Sequence, residues 1–532
     1  MGSLDPAPFP EVVKGGTLVI QRARPGDLLQ SLPLLQRAMR QKDPVGLLCS
    51  PQIASWAREL SICQSIMTLP GVHPEEGFSG AYPKWRSLVE KLRDGHWERA
   101  VHMNNDAGGV AILRASAVGK SYGFTTSIGW DRFGESLSGW PAYLVSSARG
   151  LRHLNRIHLS DVWREFLPPE GDEPGELPLA QCSITAPVVL VLSGRSVYRS
   201  LLEETVVRVL AGVIRQTGRP VILVGRPDEW EIGERIRRIG GTGVRNMAGK
   251  TSIGELDGLI RESSLVISPD TATLHLASWR GIPTIGLFFG GAFPHETGAR
   301  FGRRISIVSR MECFPCAGEG SGCQSISCRE KIDGDLIGRV ARSILEGGSL
   351  PSSSDELWVL EGREGDGGFN TQEISGEPGW KEGTGERESA AAGVLFRRFF
   401  LRCLPGKRDL DPLSRSFASF GEWSDEKTIR ALLKIRQGIE LYRAMLGSSV
   451  ERRISLVNEF PSIWPVAHHL LLAGEPTEVS PGGDPDSERC DAALSCLLSE
   501  IDEILDSPRP GPVGGSAFSL KGAETIHVGS RV

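Results

Sequence analysis

The sequence predicts an α/β protein: two Rossmann-like doubly wound domains in tandem, followed by a mainly helical segment. Three observations carry this reading. Short apolar runs of strand length alternate with longer stretches whose apolar residues recur at helical spacing, which implies parallel sheets with helices on both faces. The alternation halts at an acidic, proline-rich stretch, PPEGDEPGELP (168–178), and then starts again, as expected of two domains joined by a linker. The chain also has 532 residues, too many for one hydrophobic core.

The elements follow in order. TLVIQ (17–21) is a buried strand, RARPGD turns the chain, and LLQSLPLLQRAMR is helical. VGLLCS (45–50) and AVHMNN (100–105) are strand-like, with ASWARELS and AGGVAILRASA as the helices after them. The first domain is therefore placed at 17–170. The second, at 186–350, opens with PVVLVLSG and runs through the helix LLEETVVRVLAGVIRQTG and the strand PVILVG. It continues with the helix SIGELDGLIRES, the strand LVIS, the helix TLHLASWRG and the strand PTIGLF. Residues 351–392 are rich in Gly, Ser and Glu with few apolar residues and read as a linker or flexible insertion. Residues 393–506 carry helical spacing and read as a helical appendage, with 507–532 as a tail.

Composition excludes several functional classes. A formal net charge of -5, with both signs mixed along the chain, gives no electrostatic case for nucleic acid as a partner. MGSLDPAPFPEVVKGG lacks the succession of a signal peptide, and there is no run of about 18 apolar residues, so a cytoplasmic location is expected. The ten cysteines are not distributed as a secreted disulfide framework: four crowd into 313–328 and the others are scattered.

The chemistry concentrates at strand ends. In LVISPDTATLHLASW, Asp270, Thr271, Ala272, Thr273 and His275 lie where a strand passes into a helix, at the sheet edge where doubly wound folds bind ligands. The first amides of that helix and its dipole suit a phosphate, and the side chains add hydroxyl and imidazole hydrogen bonds. Capping by Asp270, with His275 as a core histidine, is the competing structural reading. RARPGDLLQ places Arg24, Gly26 and Asp27 at the matching edge of the first domain, where a carboxylate facing a cleft can act as general base or simply cap a helix. SGRSVYRS offers Arg195 and Arg199, and VGRPDEWE offers Asp228 and Glu229; guanidinium suits phosphate and carboxylate suits a ribose diol, though surface salt bridges account for such charges too. NMAGKTSIGE is not a P-loop, because the glycine that Gly249-Lys250-Thr251 would require falls at Val244. Ser252 and Glu255 instead form a capping box, while Lys250 and its loop can line the same pocket.

Taken together, VIQRARPGDLLQSLPLL, NMAGKTSIGELDGLIRESSLVISPDTATLHLASWRGIPTIGLF and the CFPC that follows resemble the heptosyltransferases, glycosyltransferase family 9, over roughly 17–345. The resemblance implies a GT-B fold: an acceptor-binding first domain and a second domain for a nucleotide-diphosphate sugar, facing each other across a cleft. It further implies inverting, metal-independent transfer, with ADP-heptose as donor and a glycan or lipid-linked glycan, such as a lipopolysaccharide core precursor, as acceptor. Carried over residue by residue, Asp27 is the base, with Arg24 and Gly26 in the acceptor-side loop. Asp270, Thr271, Ala272, Thr273 and His275 hold the diphosphate, Arg199 stands near a phosphate-contacting lysine position, and Glu229 or Asp228 near the ribose-binding acid. Lys250 lines the donor pocket. Two departures stand out: Pro25 precedes Gly26 where an aliphatic residue is usual, and Arg199 replaces lysine.

No cofactor is implied beyond the sugar nucleotide. Cys313, Cys316, Cys323 and Cys328 suit a structural zinc, with reduced thiols shaping a loop as the other reading. Peripheral contact with the inner face of the membrane is compatible with a lipid-linked acceptor. Two other functions stay open at this stage: transfer to a protein acceptor such as a surface-appendage subunit, and a catalytically silent nucleotide-sugar-binding protein.

Overall fold

A computed structural model describes residues 15–41, 44–71, 77–126, 139–148, 155–170, 185–194, 199–289, 291–311, 323, 327–364, 370–374, 384–404, 426–444 and 485–506. Arg195, Cys313, Cys316, most of the 168–178 stretch and the 507–532 tail lie outside these residues.

The first domain runs β1 (Thr17–Gln21), α1 (Pro25–Gln30), α2 (Leu32–Arg40), β2 (Val45–Cys49), α3 (Pro51–Glu59), β3 (Ser65–Thr68), α4 (Gly77–Asp94), β4 (Arg99–His102), α5 (Ala107–Ala115), β5 (Lys120–Gly123), α6 (Gly139–Ala148) and α7 (Leu159–Arg164). Its sheet has the order β3-β2-β1-β4-β5 with every pairing parallel. β1 is buried along its whole length, as expected of a central parallel strand covered on both faces. The strand order reverses between β1 and β4, and the crevice beyond their carboxyl ends is where doubly wound sheets bind ligands. The helical run after β1, read as one helix, is two: α1 ends at Ser31 and α2 starts at Leu32, with Pro33 in its first turn. Proline fits a first turn and not a helix interior, so the chain restarts there.

The second domain runs β6 (Val188–Val191), α8 (Glu203–Thr217), β7 (Val221–Val224), α9 (Trp230–Gly240), β8 (Val244–Asn246), α10 (Ile253–Arg261), β9 (Leu265–Pro269), α11 (Ala272–Trp279), β10 (Thr284–Phe288), α12 (Pro294–Thr297), β11 (Arg304–Ser309), α13 (Gly334–Glu346), β12 (Leu357–Glu364) and β13 (Asn370–Ile374). Its sheet order is β13-β12-β11-β10-β9-β6-β7-β8, and the reversal falls between β6 and β9. α8 stops at Gly218, which adopts a left-handed φ of 65°, the usual helix terminator. It packs tightly on α13, since a Cβ on Gly212 would come within 1.9 Å of the Gly334 carbonyl oxygen.

The 351–392 stretch is not simply a linker. Its residues Leu357–Glu364 pair antiparallel with β11, and Asn370–Ile374 pair with Leu357–Glu364 in turn, lengthening the second sheet. LWVLEGRE places Leu357 and Val359 in the core on one face, an alternation diluted by the surrounding Gly, Ser and Glu.

Three helices follow: α14 (Thr384–Cys403), α15 (Glu426–Ala444) and α16 (Pro485–Asp506). α14 begins inside the stretch read as linker, and WPVAHHLLLA, read as helical, lies outside the described residues. These helices return to the first domain. Phe396, Phe399 and Phe400 share one apolar cluster with Trp140, Tyr143 and Val145, and the Tyr143 and Phe400 rings meet edge-to-face at 4.6 Å. Glu500 on α16 accepts from Arg398 and Arg402 on α14, tying the helices together. The helical region thus packs on the first domain through Tyr143. No described helix is long and apolar enough to cross a membrane.

The two domains touch through a continuous apolar core containing Leu28, Leu29 and Ile53 from one side and Ile260, Leu276 and Ala277 from the other. Polar contacts frame it. Arg300 Nε donates to Asp161 at 2.8 Å with both side chains almost solvent-free. His158 has its pKa pushed down to about 4 by burial and is neutral; its Nδ1 accepts from Ser160 N–H, so Nε2–H donates to Gly298 O at 3.0 Å.

Candidate active site

The carboxyl-edge crevices of the two sheets face each other, and the two predicted tips meet there. α1 and α11 pack against one another across the domain boundary. A Cβ built on Gly26 would stand 3.5 Å from His275 Cδ2 and 4.0 Å from the amide nitrogen of Ala272. Gln30, three residues after Asp27 on α1, brings its Nε2 to 3.4 Å from His275 Nε2. The first helix of one domain and α11 of the other thus meet in a polar seam.

Asp27 is not the N-cap residue of α1, but its carboxylate caps the helix from inside. Arg24 holds the N-cap position of α1, and Asp27 stands at the third helical position, where one carboxylate oxygen accepts from the Arg24 backbone N–H at 3.1 Å. Burial raises the pKa of Asp27; the charges of Arg24 and His275 and the Arg24 backbone bond oppose that rise, and the charge of Asp270 adds to it. A carboxyl held above the ordinary carboxylate range is better matched to taking a proton near neutrality.

Across the seam, the N-cap of α11 is Thr271, whose side chain makes no capping bond, and not Asp270. The Thr271 hydroxyl shares a 2.8 Å hydrogen bond with Ser268 instead. The amides of Ala272 and Thr273 stand in the first turn, where the helix supplies no acceptor, and they are suited to an anionic ligand. Asp270 pairs with Arg199 at 3.1 Å and lies 3.5 Å from His275 Nε2. Arg199, Asp270 and His275 are therefore connected beside the helix terminus, and Thr273 is half-buried in its first turn.

Glu229 belongs to a neighbouring cluster past the end of β7. It is buried; one oxygen accepts from the Arg226 backbone N–H at 2.7 Å and the other from the Ser193 hydroxyl at the end of β6. Burial raises its pKa against the opposing Arg226 bond and charge. Asp228 pairs with Arg226 in an exposed position. Lys250 holds its Nζ 3.6 Å from the centre of the Trp230 ring, so its ammonium is engaged in a cation–π contact. Its loop is shaped by Gly249, whose φ of +66° and would-be Cβ, 2.4 Å from Pro227 Cα, leave no space for a side chain. Ser252 and Glu255 form the capping box of α10 as read.

Sequence reasoning missed Gln30, Ser193 and the polar residues behind Asp27. Gln30 was legible in one respect, as it shares the Asp27 face of a short helix. Ser193 carried no signal, because its partner Glu229 is far away in sequence. Among the described residues no group of three or more His, Cys, Asp or Glu is gathered as for a metal. The zinc reading rests on Cys313 and Cys316 as well as Cys323 and Cys328, and the first pair lies outside the described residues.

Fold and site define a class: a protein of two doubly wound α/β domains, with the first helix of one packed against the N-terminal turn of a helix of the other. Residues 204–326 match the model of glycosyltransferase family 9 (heptosyltransferase), so the likeness read from the motifs holds over the second domain. The chain is 37% identical over 81 residues to the lipopolysaccharide core heptosyltransferase OpsX of Haemophilus influenzae; this covers 15% of the chain and 23% of that relative, under a quarter of its length. Among solved structures it is similar to a glycosyltransferase family 9 protein from Veillonella parvula, with 13% identity, TM-score 0.46, and coverage of 63% of this chain and 98% of the other. It is similar also to the E. coli heptosyltransferase WaaC with ADP, with 17% identity, TM-score 0.41, and coverage of 54% and 90%.

Proposed function

We propose that the protein is an inverting glycosyltransferase that moves a heptose, or a related sugar, from a nucleotide-diphosphate donor to a glycan acceptor. ADP-heptose is the proposed donor and a lipopolysaccharide core precursor the proposed acceptor, in line with the family matched by the second domain. The observation that carries this reading is that α1, which holds Asp27, packs across the domain boundary on α11, with Gly26 beside Ala272 and with the charges of His275 and Asp270 acting on Asp27. In the proposed reaction Asp27 takes the proton of the acceptor hydroxyl as its oxygen attacks the anomeric carbon. The bond from that carbon to the diphosphate oxygen breaks on the opposite face, and the electron pair leaves with the nucleotide diphosphate. The Ala272 and Thr273 amides, the helix dipole and Arg199 stabilise the charge that develops on the leaving group, a task that needs no metal. Glu229, with Ser193, stands one strand away and suits the ribose of the donor.

The test is incubation with ADP-heptose and deacylated lipopolysaccharide core oligosaccharide, following ADP release and the mass of the oligosaccharide. Addition of one heptose with inverted anomeric configuration, lost in Asp27→Asn while ADP still binds, is the expected result. Heptose transfer that survives Asp27→Asn would remove Asp27 as the base. ADP binding with no turnover on any glycan or protein acceptor would mean a binding protein.

A further inference from the structure

Asp27 sits on a helix of six residues, too short to hold its own geometry in water. What fixes it is a chain of buried side chains beneath. The Asp27 carbonyl accepts twice from Ser31, from its hydroxyl at 2.6 Å and its backbone N–H at 2.9 Å. The Ser31 hydroxyl accepts in turn from Gln21 Nε2 at 2.8 Å. Gln21 Oε1 accepts from Asn104 Nδ2 at 2.9 Å and from the Ala23 backbone N–H at 3.1 Å, while Asn104 Oδ1 accepts from the Arg22 N–H at 2.7 Å. Gln21 and Ser31 are wholly buried, and the chain runs from the end of β4 through the end of β1 to the junction of α1 and α2. It crosses the point where the strand order reverses, so the turn between β1 and α1 is anchored to both strands that line the acceptor-side crevice.

We propose that Gln21 and Ser31 are positioning residues for Asp27: their hydrogen-bonded chain to Asn104 aims α1, and with it the carboxylate, at the N-terminus of α11. This rests on the reading of Asp27 as the base. Gln21 ends a buried strand whose other three central residues are apolar, and nothing about strand packing calls for an amide there; its donor and acceptor are both used, and both serve the Arg22–Asp27 turn. Loss of the Ser31 hydroxyl removes one link while the backbone bond to the Asp27 carbonyl remains, so α1 stays folded but swings more freely.

The test compares Ser31→Ala and Ser31→Thr with the wild-type chain, using protein labelled with 13C at aspartate carboxyls and Asp27→Asn to assign the Asp27 signal. In Ser31→Ala the Asp27 titration is expected to fall toward the ordinary carboxylate range as the group hydrates. ADP release from ADP-heptose with deacylated core oligosaccharide should slow by about 10- to 100-fold, the scale of a displacement near 1 Å. ADP affinity, measured by calorimetry, should stay within about twofold, because the diphosphate tip lies in the other domain. Ser31→Thr keeps the hydroxyl and should restore both the titration and the rate. An unchanged Asp27 titration in Ser31→Ala overturns the proposal, as does a loss that Ser31→Thr fails to restore. Transfer that persists in Asp27→Asn would sink the base reading by itself, leaving the titration comparison to decide whether Ser31 orders the carboxylate.

Discussion

Replacing Gly26 with alanine separates stability from donor binding. Gly26 lies in helical backbone without a positive φ, so alanine fits its conformation. The added methyl meets His275 Cδ2 at 3.5 Å, an ordinary contact, and by narrowing the unfolded ensemble it should stabilise the fold by about 0.4–1 kcal/mol. The same methyl stands 4.0 Å from the Ala272 nitrogen. A phosphate oxygen bonded to that amide would sit about 2.9 Å from the nitrogen, while carbon and oxygen need separations nearer 3.5 Å. An oxygen bonded to that amide within about 60° of the line from the nitrogen to the methyl is therefore crowded out, and one lying between the two helix termini falls in that range. The loss is about one hydrogen bond to a charged group, roughly 1.5–3 kcal/mol, or about a 10- to 150-fold rise in Kd. Calorimetric titration with ADP and a thermal melt read the two effects separately. The expected outcome is an equal or higher Tm with much weaker ADP binding. A Kd within twofold of wild type in a folded Gly26→Ala would refute a diphosphate oxygen seated between the two helix termini.

Three further outcomes follow from the same geometry. Asp27→Asn should lower kcat by about 10²- to 10⁴-fold with ADP binding retained, and the wild-type rate should climb as pH rises through the raised Asp27 pKa. Because that pKa is above its unfolded value, the Asp27 contribution to stability is fully present below the unfolded pKa and is lost as pH rises through the folded one. Asp27→Asn should therefore melt above wild type at neutral pH and not at acid pH, and the opposite order would contradict a buried carboxylate. Arg300→Met should cost up to about 3–5 kcal/mol in denaturant unfolding, because buried Asp161 loses its 2.8 Å partner and keeps Arg164 at 3.9 Å; a loss under 1 kcal/mol would mean the Arg300–Asp161 pair contributes little. Arg199→Ala should weaken ADP binding by about tenfold, with Arg199→Lys falling between the two because the ammonium keeps the charge but loses the planar fork, and equal affinities in all three would remove Arg199 from the donor site.

Periodicity and turn chemistry by themselves determined a good deal: two parallel α/β units, the polar tips at Gly26-Asp27 and Asp270–His275, and the capping box at Ser252, since each depends on residues close together in the chain. β12 and β13 were hidden because a strand's register is set by its partner, and Leu357–Glu364 has its partner in β11, about fifty residues away. The helices after 384 read as separate because local spacing says a face is apolar without saying what it meets; their phenylalanines meet Tyr143. Capping was left open for both Asp270 and Asp27 because short polar residues at a strand-to-helix turn look alike, and only folding shows that Arg24 and Thr271 hold the N-cap positions. Tertiary structure alone decided that α1 of one domain packs on α11 of the other with Gly26 beside His275 and Ala272, that Ser31 and Gln21 bond to each other beneath α1, and that Lys250 lies over Trp230. Those relations join residues up to 245 positions apart, as for Gln30 and His275, and arise from how two sheets pack their carboxyl edges together, which no local pattern encodes.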